Sequence, residues 1–179
     1  MVVTADPVLA GRIRALRNQG RYETDDWFQH TELGYNYRIS EINCALGLAQ
    51  MTRLPEILRR REAVASAYDQ RLQPYADLVL PALRSPVGRI SWFVYVVRVG
   101  SAHSRDAIIK GLGAAGIASG RYFAPIHLQP SYAAWRTSSR LAVTEAEASR
   151  TLALPFFNQI EASAIDEVCH TLGRLLQLG

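Results

Sequence analysis

Hydrophobic positions along this chain change rhythm part-way, and the change predicts its elements. Val8, Leu9, Ile13 and Leu16 recur at helical spacing. Asp6 can cap that helix and Pro7 suits its first position, where a missing N–H costs nothing. Gly20 is expected to stop it. Val2-Val3-Thr4 ahead of it reads as a short strand, the last of a larger fold. Residues 21–37 show no apolar period but carry Trp27, Phe28, His30, Tyr35 and Tyr37. An aromatic-rich loop of that length is functional or disordered, and aromatic burial argues for order. Ser40 then caps a helix with Ile42, Ala45, Leu46 and Ala49 on one face. Leu54-Pro55 interrupts it, and Ile57, Leu58, Val64, Tyr68 and Leu72 continue a second helix to about Pro74, giving a long, bent helical arm.

Beyond a loop at 81–89 the pattern favours strands. Trp92, Phe93, Val94, Tyr95, Val96, Val97 and Val99 predict a central strand within 91–99. Ser104 caps a helix to about Leu112, and a short edge strand follows near Arg121-Tyr122. Pro125 to Gln129 is a loop, Pro130 to Trp135 one or two helical turns, and Thr144 is expected to cap the next helix. Leu152-Ala153-Leu154-Pro155 forms a short strand. A final helix over 161–178 places Ile165, Val168, Leu172, Leu175 and Leu176 on one face. The fold class is therefore α/β or α+β, a small sheet flanked by helices.

Composition narrows the function classes. A 49% hydrophobic, 20% charged chain of 179 residues is ordinary for a globular protein. No apolar run reaches the ~20 residues of a membrane span, and no signal peptide is expected at the start. The net charge of +4 is spread out. Its one basic triplet, Arg59-Arg60-Arg61, has Glu56 and Glu62 nearby and reads as a solvated helix face rather than a nucleic-acid patch. Cys44 and Cys169 are isolated, which suits two buried apolar residues in a reducing cytoplasm better than a disulfide or metal cluster. No metal ligand set is expected.

Candidate chemistry is concentrated in two loops. Gly111-Leu112-Gly113-Ala114-Ala115-Gly116 matches a dinucleotide fingerprint as a string, but it follows a helix and no acidic residue comes ~20 positions later, so it reads as a glycine-rich helix end. His103 and His170 have no ligand-type partners nearby. His127 lies in Arg121-Tyr122-Phe123-Ala124-Pro125-Ile126-His127-Leu128-Gln129, where a site role and a plain loop role both stand. Asn36 and Arg38 precede the Ser40-capped helix. They offer an amide and a guanidinium fork beside a partly positive helix N-terminus, a combination suited to phosphate. Alternatively, Asn36 takes a left-handed turn conformation and Arg38 pairs with Glu41.

The segment Gly34-Tyr35-Asn36-Tyr37-Arg38-Ile39-Ser40-Glu41-Ile42 with Ala45, Leu46, Gly47 and Gln50 is similar to the pattern G-x-N-x-R-M-x-x-I-x-A-A-x-G-x-x-Q, with Ile39 at its Met and Cys44 at its first Ala. Arg14 to Gly20 fits L-R-x-x-G, Arg61 to Tyr68 fits R-x-x-x-A-x-x-Y, residues 122–127 a P-x-H segment and 152–155 L-x-L-P. In this order the series resembles the DegT/DnrJ/EryC1/StrS sugar aminotransferases, which use pyridoxal phosphate (PLP), over essentially the whole chain.

That resemblance implies the C-terminal part of a fold-type I transferase. Residues 1–33 would be a remnant of the large domain with the aromatic loop, 34–73 the helical arm, and 74–179 the small domain. It implies a homodimer in the cytoplasm, acting on a nucleotide-linked keto-sugar with an amino-acid donor, without nucleic acid or membrane. Asn36, supported by Arg38, would hold the phosphate of the partner subunit's cofactor. Tyr35, Tyr122 and His127 would contact substrate. No catalytic residue is assigned, because the family's Schiff-base lysine falls upstream of Met1, and Lys110, the one lysine, sits in the wrong helix. Three readings stay open: part of an aminotransferase, inactive by itself; a non-catalytic dimerisation module; or a relative that uses histidine in place of lysine to deoxygenate sugars. An unpaired half of such a fold would also bare apolar surface and self-associate.

Overall fold

The computed structural model describes residues 2–82, 90–135 and 141–177. It divides into two compact units, Met1–Arg53 and Leu54–Gly179.

The first unit holds helix α1 (Pro7–Arg17) and helix α2 (Glu41–Thr52), joined by the aromatic loop. Asp6 caps α1 by accepting from the N–H groups of Val8 and Leu9, with Pro7 in the first turn. The helix ends at Arg17, earlier than the Gly20 signal suggests, and Gln19 and Gly20 then both turn left-handed. Val2-Val3-Thr4 forms no strand, since no described segment pairs with it.

The chain from Thr31 to Tyr37 docks on the end of α1. Tyr35 N–H donates to Leu16 O at 2.6 Å and Tyr37 N–H to Arg17 O at 2.9 Å. Two carbonyls that a helix end leaves orphaned are satisfied in this way. The approach is so close that a Cβ on Gly20 would lie 1.6 Å from Glu32 O, and one on Gly34 would lie 2.1 Å from Gly20 N. Both positions therefore require glycine. Polar bonds, not aromatic burial, order this loop. Tyr22 Oη donates to Glu32 Oε1, Thr31 Oγ1 to Asp25 Oδ1, and Arg12 Nε to Glu32 Oε2. Trp27, Phe28, Tyr35 and Tyr37 remain 58–78% exposed, contrary to the expectation from their number. Ala15 is the unit's one buried apolar side chain among the described residues, and α2 buries none.

The second unit carries the core. Helix α3 (Leu54–Leu72) leads to strands β1 (Leu78–Val79) and β2 (Tyr95–Val99), then helix α4 (Arg105–Ala114) and strand β3 (Gly120–Arg121). Helix α5 (Ala142–Arg150), strand β4 (Thr151–Leu154) and helix α6 (Ala162–Gln177) complete it. The sheet order is β1-β2-β4-β3, antiparallel throughout, so the arrangement is of the α+β kind. Alternation decides the faces. Tyr95, Val97 and Val99 of β2 and Leu152 and Leu154 of β4 are buried with Tyr68 and Leu72 of α3, Leu112 of α4, and Ile165, Val168, Leu172 and Leu176 of α6. Burying each such side chain stabilises the fold by about 1.5–3 kcal/mol. On β2, Arg98 lies out of register with the buried positions and pairs with Glu147 of α5 at 2.7 Å.

Several readings change here. Thr144 does not cap α5; the cap position is Leu141 and Thr144 lies inside the helix. Arg59 and Arg60 pair with Glu56 on the surface, but Arg61 turns inward, donating to Asn158 Oδ1 and to Trp92 O, both at 2.9 Å. His103 is packed and faces Asp77, Nε2 to Oδ2 3.4 Å. Cys169 is buried as expected, whereas Cys44 is exposed. Most of the loop at 81–89, and Leu178 at the end of the last helix, lie outside the described residues.

Candidate functional site

Asn36 sits between two tyrosines whose N–H groups are fixed to the end of α1, and its backbone bridges to Asn18. Its side chain is exposed, and its amide makes no hydrogen bond among the described residues. Its φ is not positive, so no left-handed turn explains the residue. The rings of Tyr35 and Tyr37 stack on either side of it in sequence, 4.9 Å apart and 3° from parallel.

Arg38 does not pair with Glu41. Its Nε donates to Asn18 Oδ1 at 2.7 Å and its Nη2 to Gln19 Oε1 at 3.3 Å. Both acceptors are neutral amides, so the guanidinium is oriented without its charge being cancelled. Ser40, two residues after Arg38, caps α2 through Asn43 N–H at 3.4 Å, so the helix N-terminus follows directly on the Asn36–Arg38 segment in the chain. Tyr35 borders a cavity of about 790 Å³ with Val2, Val3, Thr4 and Tyr37. Arg38 borders another, of about 710 Å³, with Arg14, Arg17 and Arg21. Tyr35 and Arg38 thus share one segment but face two cavities, and Asn36 between them lines neither.

In the second unit, Tyr122 and His127 line one cavity of about 1020 Å³, together with Phe123, Gln129, Tyr132 and Glu147. Apolar walls with a few polar groups suit a ligand carrying both rings and hydroxyls. Thr151 Oγ1 donates to Tyr122 O at 2.7 Å, fastening the loop to β4, and the Tyr122 and Phe123 rings stack at 4.1 Å. His127 Nε2 lies 3.3 Å from Glu145 Oε1, both about a quarter exposed. Arg121 leaves this group and pairs with Asp106 of α4 at 2.8 Å. Glu145, Asn18 and Gln19 carried no signal in the sequence, because their roles exist only through partners 18 to 20 residues away.

Lys110 is exposed on α4. Gly111 and Gly113 lie within α4 and Gly116 is left-handed just beyond it, so the glycine-rich string is a helix end. No group of three His, Cys, Asp or Glu among the described residues is arranged to hold a metal ion. Nor is any described helix long and apolar enough to cross a membrane.

The class of protein whose fold this sheet and these helices share is the aminotransferases. The solved aminotransferase TlmJ from Streptoalloteichus hindustanus has a TM-score of 0.84 to this chain at 31% identity, covering 97% of the chain and 46% of TlmJ. DesV of S. venezuelae has a TM-score of 0.86 at 29% identity, over 98% of the chain and 46% of DesV. The chain belongs to the DegT/DnrJ/EryC1/StrS aminotransferase family, whose pattern matches residues 1–173. A curated relative, GDP-perosamine synthase of Caulobacter vibrioides (strain ATCC 19089 / CIP 103742 / CB 15), is 37% identical over 98% of the chain and 47% of its own length. The chain therefore spans about half the length of the relatives it matches.

Proposed function

We propose that these residues are the C-terminal portion of an aminotransferase that places an amino group on a nucleotide-linked keto-sugar, with glutamate or glutamine as donor. The observation that carries this is the Asn36 amide, exposed, without a partner among the described residues, and set just before a helix N-terminus in a chain of this family. Such an amide fits an oxygen of the PLP phosphate, and a hydrogen bond to a charged acceptor is worth about 1.5–3 kcal/mol. Arg38, held by Asn18 and Gln19, supports that loop or meets a substrate carboxylate. Tyr35 adds a ring beside it. PLP supplies the electron-withdrawing aldehyde chemistry that lets an amine move between donor and acceptor.

Tyr122 and His127 bind the nucleotide sugar in the cavity of the second unit. His127, oriented by Glu145, offers its ring to a sugar hydroxyl or a phosphate oxygen. The relative named above is a GDP-perosamine synthase, which makes a nucleotide-linked sugar a sensible ligand to try. Residues 1–33 belong on this reading to the large domain, 34–73 to an arm, and 74–179 to the small domain. Asn36 serves the partner subunit's cofactor in a cytoplasmic homodimer. The exposed Val3, Val8, Ile42, Leu48 and Met51 of the first unit support such an association.

Since Lys110 is the one lysine and stands exposed on α4, the 179 residues alone lack an amine placed to anchor PLP and are inactive. The test is amino transfer from glutamate to a nucleotide-linked keto-sugar. It is measured with the chain alone and with a version extended by an upstream lysine-bearing half taken from a relative. Activity only in the extended protein, with its PLP affinity lowered at least tenfold by Asn36→Ala, is expected. Activity of the chain alone, or an Asn36→Ala protein of unchanged PLP affinity, would sink the reading.

A further inference from the structure

Thr151 stands where the sheet stops and the cavity of the second unit begins. Strand β3 pairs with β4 as Gly120 to Ala153 and Arg121 to Leu152. In that register the next partners are Tyr122 and Thr151, but the ladder goes no further. The Thr151 side chain takes its place, with Oγ1 donating to Tyr122 O at 2.7 Å. Thr151 and Tyr122 both line the cavity of about 1020 Å³. The single hydroxyl proton of Thr151 is committed to the loop, however, and is not offered to a ligand.

Among the described residues, little else fixes Tyr122. Its ring meets Phe93 at 6.3 Å and Phe123 at 4.1 Å, and those two rings are themselves 67% and 69% exposed. Its hydroxyl makes no hydrogen bond among the described residues. The neighbouring Arg121–Asp106 pair has both side chains more than half exposed, where an ion pair adds little.

Thr151, by contrast, is a fixed post. Its backbone is paired with Arg98 of β2, and its carbonyl accepts from Arg105 Nη1 at 3.1 Å. Arg105 is buried at the first position of α4, where the helix dipole disfavours a positive charge. It also donates to Ala148 O at 2.8 Å and to Asp106 Oδ1 at 2.6 Å. A buried guanidinium with its donors met in this way braces the end of α5 and the start of β4 together. Tyr122 is thus joined to the core through one hydroxyl, and Arg105 stands behind it.

We propose, on the reading of this cavity as the nucleotide-sugar site, that Thr151 is a positioning residue for it. Its hydroxyl holds the Tyr122 carbonyl and so sets where the Tyr122 ring and the loop to His127 stand before a ligand arrives. Without that bond the loop has more freedom to lose on binding, so affinity falls while the number of sites does not.

Calorimetric titration of the full 179-residue chain with GDP-mannose, a nucleotide-linked hexose, tests this in two variants. Thr151→Val keeps the branched shape and loses the hydroxyl, whereas Thr151→Ser keeps the hydroxyl. Thr151→Val should bind at least about fivefold more weakly at unchanged stoichiometry, and Thr151→Ser within about twofold of the parent, the scale of one hydrogen bond. A merely structural loss would lower the number of sites and leave the affinity of the remainder unchanged, which overturns the proposal. In the absence of ligand, chymotrypsin should cleave after Tyr122 or Phe123 several-fold faster in Thr151→Val, and GDP-mannose should restore protection. Unchanged cleavage without ligand would mean that the hydroxyl does not hold the loop, and also overturns it. Tyr122→Ala separates the two levels. If the parent does not bind, or Tyr122→Ala binds as the parent does, the cavity reading fails and the role of Thr151 falls with it. If Tyr122→Ala weakens binding and Thr151→Val does not, the cavity reading stands and the positioning role alone is refuted.

Discussion

Arg38 donates to the side-chain oxygen of Asn18 at 2.7 Å, across twenty residues of chain. The bond ties the segment that opens α2 to the turn that closes α1, with the Asn18–Asn36 bridge beside it. Asn18→Ala removes the acceptor and should free Arg38 and the Tyr35–Arg38 segment. Limited proteolysis within residues 31–38 should accelerate several-fold, with thermal unfolding of the second unit unchanged. Unaltered cleavage would show that the backbone bonds of Tyr35 and Tyr37 hold the segment alone.

Tyr68 is fully buried, stacks on Tyr95 at 4.9 Å and donates from its hydroxyl to Pro155 O at 2.7 Å. Burial pushes its phenol well above the ordinary value, so it stays neutral and remains a donor. Tyr68→Phe should cost about 1–2 kcal/mol by leaving the half-buried Pro155 carbonyl without this donor. Tyr68→Ala should cost about 3–5 kcal/mol by opening a cavity. Chemical denaturation of both variants measures the difference.

Burial pushes the Cys169 thiol up to about 11, whereas Cys44 is exposed. A thiol reagent at pH 8 should label one cysteine per native chain and two after unfolding, and Cys44→Ser should remove the native labelling. Rapid labelling of Cys169 in the native chain would contradict the packing of α6.

Arg98, with help from Arg150, holds the Glu147 carboxyl below the ordinary glutamate range. A carboxylate depressed by folding adds stability above its unfolded pKa and loses it as pH falls through the folded value. Thermal midpoints should therefore drop between about pH 5 and pH 3. Glu147→Gln should flatten the slope in that window, as Glu56→Gln should through the loss of its pairs with Arg60 and Arg59. An unchanged slope in Glu147→Gln would show that Arg98 contributes nothing through this pair.

Elements written in short-range signals were legible in the sequence. The Asp6 and Ser40 caps, the Ser104 cap of α4 and the single apolar face of α6 all depend on neighbours within four residues. Strands β2 and β4 were visible as runs of β-formers, although β2 begins only at Tyr95. Strand β1 was not, because two residues carry no period and exist as a strand only by pairing with Val99 and Arg98. Thr144 misled for the same reason. A capping residue signals a helix start, but where α5 begins depends on its surroundings in the fold.

The candidate site divides along the same line. The sequence by itself determined membership of the aminotransferase family, through short motifs spread over residues 1–173, and offered the Asn36–Arg38 segment and the Tyr122–His127 loop as candidates. Only the tertiary structure decided what those residues meet: Arg38 the Asn18 amide, His127 the Glu145 carboxylate, Arg61 the distant Asn158, and four arginines a shared cavity. Contacts between residues far apart in sequence leave no period to read. They form when backbone hydrogen bonds and core packing bring the partners together, and folding sets that geometry.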